Sequence, residues 1–178
     1  MKELSLHILD IAGNSTAADA ALVEITVTEA AAANRLTITV KDDGRGMSAE
    51  FLAKVRDPFT TTRTTRGVGL GIPLFERAAV SCGGGLDVTS AEGGGTTVTA
   101  WFEYDHIDRQ PLGDMPSTLT TLISGNPRVD FVYRHSTDGG AFTLDTRQIK
   151  GILGDAPIDT PEVIQWLGGY IAEGLGTL

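Results

Sequence analysis

The sequence predicts an α/β protein built as a two-layer α/β sandwich, with helices on one face of a mixed sheet and a small α+β appendage. Stretches that alternate apolar and polar residues indicate strands, and they are interspersed with stretches of helical periodicity. Residues 1–104 have the order helix, strand, strand, helix, helix, strand, strand, which favours antiparallel neighbours over repeated βαβ units. The 178 residues are 41% hydrophobic and 21% charged, a composition typical of globular domains.

The first elements follow from the spacing of apolar residues. Residues 3–20 are predicted to form a helix, because their apolar residues recur every three or four positions. Residues 23–28 and 35–40 alternate apolar and polar side chains, so we expect two paired strands. Ser48 follows a glycine-rich bend and is expected to cap a short helix over residues 49–55.

A long loop is predicted in the middle of the chain. Residues 57–67, DPFTTTRTTRG, have no periodicity, and loops of this length are uncommon unless they are functional. Residues 70–82 are predicted to form a helix, since their proline lies near the first turn, where proline is tolerated. Residues 86–90 and 96–104 are predicted to be strands joined by a glycine-rich turn.

The composition changes after Tyr104, where two prolines and few apolar residues follow. We therefore divide the chain into a domain of residues 1–104 and a linker plus α+β appendage of residues 105–178. The predicted elements of the appendage are a helix over 117–124, a hairpin formed by 129–135 and 141–145, and helices over 146–153 and 161–173.

Charge and composition exclude several classes of protein. A net charge of −9 disfavours nonspecific binding to nucleic acid, whose phosphates an acidic surface repels. No run of apolar residues is long enough for a membrane span, and the acidic N-terminal stretch is unlike a secretory signal. Cys82 is the one cysteine, so the chain has no disulfide framework. We expect a cytoplasmic protein with neither nucleic acid nor membrane as partner.

Glycine is concentrated in clusters that lie between the predicted elements. Such clusters indicate loops that need a positive φ or a close approach of backbone to a ligand. Together with two polar residues of the first helix, they form four signals in a fixed order. These signals are Asp10 with Asn14, Asp42-x-Gly44-x-Gly46, Gly67-x-Gly69-x-Gly71, and Gly93 to Gly95 followed by Thr96.

These signals resemble the sequence boxes of the GHKL ATPases, which include gyrase B-type, heat-shock-90-type, histidine-kinase and mismatch-repair ATP-binding domains. The N box is matched by HILDIAGNSTAADA, the G1 box by DDGRGM, the G2 box by GVGLG and the G3 box by GGGTTVTAWF. The F box of nitrogen-sensor-type histidine kinases is similar to DPFTTTR. The resemblance covers residues 3–104 and is closest to the histidine-kinase-like ATP-binding domain in its stand-alone form. It implies the Bergerat fold and a site for ATP and Mg²⁺.

Two other phosphate-binding motifs do not fit the chain. It contains no Gly-Lys-Ser or Gly-Lys-Thr, which excludes a P-loop. The glycines of GVGLGI are two apart throughout, which does not match the G-x-G-x-x-G fingerprint of dinucleotide-binding domains.

The resemblance assigns a role to each site residue, and the chemistry of each residue supports its role. A carboxylate at Asp42 can accept a hydrogen bond from the adenine amino group. Backbone N–H groups at the start of a helix bind phosphate, and the side-chain oxygen of Asn14 is a hard ligand for Mg²⁺. Arginines in the preceding loop could contact the terminal phosphate. The expected nucleotide-binding residues are Asn14, Asp42, Gly44, Gly46, Arg63, Arg66, Gly67, Gly69, Leu70, Gly71 and Thr96, and the expected metal ligand is Asn14.

Asp10 is the candidate catalytic residue, and two roles stay open for it. By resemblance, this position is a Glu acting as general base in hydrolysing GHKL members and an Asn in typical histidine kinases. Asp10 is one methylene shorter than Glu, about 1.5 Å of reach. It could still orient an attacking water, or it could only support the hydrated Mg²⁺.

The phosphoacceptor of a kinase reaction is also open. The segment HIDRQPL is similar to the acceptor box of histidine kinases, but Ile107 replaces the acidic residue that follows the histidine. His106 and His7 are therefore weak candidates, and His135 is expected to be structural.

Three uses of ATP compete in this interpretation. The first is a histidine-kinase-like phosphotransferase that acts in signalling on a partner protein. The second is a slow ATPase switch, and the third is a non-catalytic ATP sensor that regulates a partner complex. A partner protein would supply the signal or the phosphoacceptor, and a homodimer is possible. The apolar last helix is either a docking element or packs on its own hairpin.

Overall fold

The computed structural model describes residues 2–57 and 70–178, which form a six-stranded sheet and six α-helices. A short 3-10 helix, Ala31–Ala33, connects the first two strands. The strands are β1 (Leu22–Ala30), β2 (Arg35–Asp42), β3 (Gly85–Ser90), β4 (Thr96–Glu103), β5 (Asp130–Thr137) and β6 (Ala141–Asp145). The helices are α1 (Leu4–Ala17), α2 (Ala49–Lys54), α3 (Gly71–Val80), α4 (Met115–Gly125), α5 (Thr146–Leu153) and α6 (Pro161–Gly176).

The sheet is mixed and has the strand order β3-β4-β2-β1-β5-β6. All neighbouring strands are antiparallel except β1 and β5, which run parallel. The predicted mixed α/β architecture is confirmed, and the two strands predicted to pair, β1 and β2, are neighbours. The strands of residues 105–178 continue the sheet that begins in residues 1–104. Both parts contribute to one sheet. The division of the chain into two parts at residue 104 stays a prediction.

One face of the sheet forms the core of the protein. Alternate side chains of β1, β2 and β4 are buried, and the strand register places Ile25 beside Val40 and Val40 beside Val98. Helices α1 and α3 pack against strands and against each other, and they contribute Ile8 and Phe75 to this core. The period of two in the strands therefore produces one apolar face, as their sequence predicts.

The opposite face of the sheet is mostly polar along β1, β2 and β4, whereas β5 buries Val132 on it. Thr39 and Thr99 lie side by side in the register of β2 and β4, with their hydroxyl oxygens 3.3 Å apart. Glu24 on β1 pairs with Arg134 on β5 at 2.9 Å. Because threonine combines a branched side chain with a hydroxyl, it suits a sheet surface that is not fully buried.

Side chains cap several helices, one of them at a position that the sequence predicts. The hydroxyl of Ser48 accepts a hydrogen bond from the backbone N–H of Phe51, so the predicted cap of α2 is confirmed. Asp114 accepts from the backbone N–H of Ser117 at the start of α4. Each cap satisfies an N–H that has no partner within its helix, which fixes where the helix begins.

The segment after β4 holds the start of α1 in place. The backbone N–H groups of Leu4 and Ser5 donate to the carbonyls of Pro111 and Leu112 at 3.0 and 2.7 Å. Helix α1 also packs against α4. The first N–H groups of a helix lack internal acceptors, so residues 111–112 complete the N-terminus of α1 and fix its position on the sheet.

The last helix is partly a core element. Leu167 and Ile171 are fully buried, and α6 packs on α4. Trp166 and Tyr170 lie on its outer side, stacked with ring centroids 5.2 Å apart, and both side chains are exposed. Packing within the chain therefore accounts for one side of α6, and its role in docking stays a prediction.

His7 on α1 is a buried imidazole that stacks on Phe75, with ring centroids 5.0 Å apart. Burial lowers the pKa of His7 below its ordinary value, and Asp10 and Gln110 oppose this shift more weakly. The folded protein therefore holds this ring neutral.

We expect the His7→Leu substitution to remove part of the acid sensitivity of the fold. The unfolded chain binds a proton at His7 below about pH 6.5, whereas the folded chain binds it only at a lower pH. Wild-type stability should therefore fall as the pH drops below about 6.5, by at most about 1.4 kcal/mol per pH unit from this group. Urea unfolding at pH 7.5 and 5.5 measures the effect, with His106→Asn as the control. Equal pH dependence in wild type and His7→Leu would contradict it.

Candidate nucleotide-binding site

A cavity of about 820 Å³ opens between α1, the ends of β2 and β4, and α2. The apolar part of its wall comes from β2, β4 and the helices α1, α2 and α3. The polar lining residues lie on α1, at the end of β2, at the start of β4 and in the adjoining loops. Four of the residues predicted for the site, Asn14, Asp42, Gly46 and Thr96, line this cavity. The other lining residues are Ile11, Ser15, Ala17, Ala18, Val40, Arg45, Met47, Ser48, Phe51, Val55, Ile72, Glu92 and Val98.

Asp42 is the buried carboxylate of the cavity, with 8% of its surface exposed. Its Oδ1 accepts hydrogen bonds from the backbone N–H groups of Gly44 and Thr96 at 2.9 and 3.1 Å. Its Oδ2 accepts from the hydroxyl of Ser15 at 2.5 Å. A buried charge is costly unless it is hydrogen-bonded, and these three donors offset that cost. Thr96 therefore contributes a backbone donor to the carboxylate.

The glycines around Asp42 allow two loops to pack closely. Gly46 has a φ of +68°, and a Cβ there would overlap the carbonyl of Ala91. Gly95 has a φ of +74°, and a Cβ there would overlap the carbonyl of Asp42. The backbone N–H of Gly93 also donates to the carbonyl of Arg45 at 2.7 Å. The glycines of the two motifs thus fix one loop against the other behind the carboxylate.

The cavity is lined by Asn14 on α1 and Ile72 on α3, and we call the region where these two helices meet the mouth. Asp10 and Asn14 are four residues apart on α1, so they lie on one face, and both are exposed. A Cβ on Gly71 would lie 3.6 Å from both Asn14 Nδ2 and Asp10 Cβ. Leu70 precedes α3, and no side chain of residues 2–57 or 70–178 caps the start of this helix, where backbone N–H groups can bind an anion. Asp10, Asn14, Leu70 and Gly71 are therefore neighbours.

The remaining predicted residues cannot be placed. Arg63, Arg66, Gly67 and Gly69 lie outside the described residues, as does most of the DPFTTTR stretch. Their contribution to phosphate binding stays a prediction.

Sequence reasoning missed several residues in and behind the cavity. Ser15 follows Asn14 directly, but no motif singled out its hydroxyl. Arg45 lies between two predicted glycines and pairs with Asp19 at 3.1 Å. Ser90 accepts from the backbone N–H of Met47 and lies 2.9 Å from the Thr96 hydroxyl, so it links the two loops. A signal for Ser15 was available, because helical periodicity places it on the buried side of α1.

The donor set at the mouth fits a Mg²⁺ ion that keeps most of its ligands from phosphate and water. Asn14 and Asp10 offer hard side-chain oxygens, which Mg²⁺ prefers. Within residues 2–57 and 70–178, no group of three or more His, Cys, Asp or Glu side chains could hold a metal ion alone. Mg²⁺ commonly binds through one or two protein ligands together with substrate phosphates, so this sparse set is compatible with it.

A comparison with known protein families shows the family to which the chain belongs. Residues 1–106 match the family described as histidine kinase-, DNA gyrase B- and HSP90-like ATPase. The chain belongs to this ATPase family. The resemblance read from the boxes is confirmed, and the chain carries an ATP-binding domain of the GHKL type.

A characterised relative of this GHKL chain is a sensor histidine kinase. The chain is 30% identical to the sensor histidine kinase ZraS of Escherichia coli K12 over 92 residues, which are 52% of this chain and 19% of that kinase. The chain therefore corresponds to a small part of the kinase. The activity and partners of that whole protein do not follow for the GHKL chain from this match.

Solved structures with the same GHKL fold cover most of the chain. The N-terminal domain of a DNA repair protein has a TM-score of 0.56 at 15% identity, covering 89% of this chain and 59% of the other. The Aquifex aeolicus MutL ATPase domain, solved with ADP, has a TM-score of 0.50 at 16% identity, covering 86% of this chain and 69% of that one. At these identities the likeness shows the fold alone.

The three histidines of the GHKL chain lie in different environments. His7 and His135 are buried, and the Nε2 of His135 lies 2.6 Å from a carboxylate oxygen of Glu29. His106 is half-buried, and its Nδ1 accepts a hydrogen bond from the backbone N–H of Asp108 at 3.2 Å.

No helix in the described part of the chain has the length and apolar character that crossing a membrane requires.

Proposed function

We propose that the cavity binds Mg²⁺-ATP and that the chain transfers the γ-phosphoryl group to a histidine of a partner protein, as a kinase-like component of a signalling system. The arrangement of polar groups in and beside one cavity carries the proposal. Buried Asp42 lines the cavity, and Asn14, which also lines it, lies beside Asp10 and the start of α3. We propose that a base binds at Asp42, the base end, and that phosphates bind at Asn14 and the start of α3, the phosphate end.

The base end would recognise adenine. Asp42 is an acceptor-only group when ionised, so it attracts the amino group of adenine and repels the carbonyl oxygen that guanine has at the same position. Val40, Val98 and Ile72 supply apolar wall on which a flat ring can pack. This combination of apolar walls and one oriented polar group is typical of small-molecule sites.

The phosphate end would bind the triphosphate through backbone and side chains. The N-terminal N–H groups of α3, beginning at Gly71, would donate to phosphate oxygens. Asn14 would hold Mg²⁺ through its side-chain oxygen, and the metal would neutralise phosphate charge when bound. Arg63 and Arg66 are proposed to contact the terminal phosphate, with Gly67, Gly69 and Leu70 forming the loop that leads into α3.

Exposed leucines on the segments that carry Asp10 and Gly71 support a protein partner. Leu6 on α1, Leu70 directly before α3 and Leu74 on α3 are 40%, 38% and 36% exposed. His7 and His135 are buried, which disfavours them as acceptors within the chain. A partner docked on these leucines would present its own histidine to the terminal phosphate.

The proposed transfer is a direct displacement. A neutral imidazole nitrogen of the partner forms a bond to the γ-phosphorus, and the bond from that phosphorus to the β–γ bridging oxygen breaks. ADP leaves with the electron pair of that bond. Asp10 orients the attacking group and accepts its hydrogen bond, and the imidazole proton passes to solvent.

A slow ATPase switch is the second candidate, and the exposed carboxylate of Asp10 favours it. At a position where a general base acts in hydrolysing relatives, an accessible carboxylate can orient a water instead of an imidazole. If the chain binds ATP but catalyses neither reaction, the non-catalytic ATP sensor is the interpretation that remains.

Incubation with γ-labelled ATP and Mg²⁺ tests these candidates. The wild-type chain is added to a soluble extract from cells that lack its gene, and protein-bound label is separated from free phosphate. A band whose label resists base but not acid, and which needs the added chain, supports the kinase proposal. Free phosphate without such a band favours the switch and contradicts phosphotransfer. Bound ATP with neither product overturns both reactions.

We expect Asp10→Asn to slow phosphoryl transfer and basal phosphate release at least tenfold, because an oriented acceptor contributes at least this much to such steps. ATP affinity should change less than the rates do, because Asp10 lies outside the lining of the cavity and asparagine keeps a side-chain oxygen for Mg²⁺. Asp10→Glu is the matched control, because it keeps the carboxylate and extends its reach by about 1.5 Å. Unchanged rates in Asp10→Asn would remove this side chain from the chemistry.

A further inference from the structure

We propose that Ser15 is a positioning residue that fixes the Asp42 carboxylate so that one free acceptor site faces the cavity and selects 6-aminopurine nucleotides. The inference rests on the proposed binding of ATP in this cavity. It adds a specificity role for a residue of the N-box stretch to which the resemblance assigned none.

The hydroxyl of Ser15 has one strong acceptor. Ser15 is 2% exposed, and its Oγ lies 2.5 Å from Asp42 Oδ2 and 3.4 Å from the carbonyl oxygen of Ile11. A hydroxyl has a single proton to donate, and hydrogen bonds to charged acceptors are shorter and stronger than those to neutral ones. The proton is therefore directed at the carboxylate of Asp42.

The acceptor sites of Asp42 are nearly all used by the protein. An ionised carboxylate offers about four lone-pair sites, two on each oxygen. The backbone N–H groups of Gly44 and Thr96 occupy both sites of Oδ1, and Ser15 occupies one site of Oδ2. The last site of Oδ2 remains for one N–H donor. An exocyclic amino group is such a donor, whereas a carbonyl oxygen at the same position would repel the carboxylate.

Ser15 also connects the two ends of the cavity. It follows Asn14 on α1, so a single helical turn carries the side chain at the phosphate end and the hydroxyl that holds the base-end carboxylate. Because Ser15 donates to Asp42, the helix that carries the proposed metal ligand also contacts the proposed base reader on β2. A nucleotide whose base carries an amino group can therefore bind Asp42 through this group while its phosphates and Mg²⁺ bind at Asn14.

The test compares two nucleotides that differ only at the amino group. Calorimetry measures the dissociation constants of ATP and of purine riboside 5′-triphosphate, which lacks the 6-amino group, for wild type, Ser15→Ala and Ser15→Thr. We expect the preference of wild type for ATP to fall five- to tenfold in Ser15→Ala, with the affinity for the analogue changed less than twofold. Ser15→Thr keeps the hydroxyl and should retain most of the preference.

The outcomes separate this inference from the proposed function. Equal weakening of both nucleotides in Ser15→Ala, or an unchanged preference, would overturn the positioning role while ATP binding stands. Failure of the wild-type chain to bind ATP would overturn the proposed function itself, and the inference with it. If Ser15→Ala does not fold, Ser15→Cys replaces it. This variant has nearly the volume of serine but a weak donor, and the same loss of preference is expected.

Discussion

The Asp42→Asn substitution is expected to weaken ATP binding at least a hundredfold while the chain stays folded. The amide oxygen can still accept from the backbone N–H groups of Gly44 and Thr96, and the amide nitrogen can donate to the Ser15 hydroxyl. The fold is therefore maintained, but an N–H now faces the amino group of adenine. Losing a hydrogen bond to a charged group costs about 1.5–3 kcal/mol, and opposing two donors adds to this loss.

Asp43→Asn is the matched control for this experiment, because it makes the same chemical change one residue away. Asp43 Oδ1 accepts from the backbone N–H groups of Ala21 and Leu22 at 2.8 and 2.9 Å, outside the cavity. An asparagine oxygen can make the same two bonds, so ATP affinity should stay within twofold of wild type. Calorimetry gives both dissociation constants, and circular dichroism checks the fold. Comparable ATP affinity in Asp42→Asn and wild type would contradict the assignment of the base reader.

Local patterns predict the elements of this fold well because their causes are local. The alternation in β1 and β2 and the cap at Ser48 depend on residues within a few positions of each other. The predicted end of the first helix is wrong by three residues, since α1 ends at Ala17 rather than at residue 20. Asp19 has a φ of +59°, which a continuing helix does not allow.

Local sequence patterns do not predict which distant strands pair in the sheet. Strand β5 lies parallel to β1, which precedes it by more than 100 residues, and this pairing places the appendage strands in the main sheet. Periodicity shows which face of a strand is apolar but does not name its neighbour. The predicted hairpin of β5 and β6 is local, and the two strands do pair.

The candidate site also contains residues that local motifs predict and residues that only the folded structure brings together. The boxes singled out Asn14, Asp42, Gly46 and Thr96, which line one cavity, and their roles toward a nucleotide stay predictions. The boxes assign no role to Ser15 or Ser90, because a single hydroxyl becomes important only through the residue that it contacts in the folded chain. Such contacts depend on the position of α1 over the sheet, which residues 111–112 help to fix.

The Gly95→Ala substitution is expected to destabilise the fold by more than about 3 kcal/mol and to abolish ATP binding. An L-residue in the left-handed region costs about 1–2 kcal/mol, and Gly95 has a φ of +74°. The added methyl group would also overlap the carbonyl oxygen of Asp42, so one of the two loops must move. Because the next residue, Thr96, donates its backbone N–H to Asp42, this movement would also displace the carboxylate.

Gly93→Ala separates the two causes, because it has the same backbone conformation without the overlap. Gly93 has a φ of +72°, and a Cβ there would meet no atom of the described residues within 4 Å. Its cost should be the conformational one alone, about 1–2 kcal/mol, with ATP affinity near that of wild type. Urea unfolding and calorimetry of both variants measure the difference. If the two variants lost the same stability, close packing against Asp42 would not be the reason that the loop needs glycine at residue 95, and conformational freedom alone would account for it.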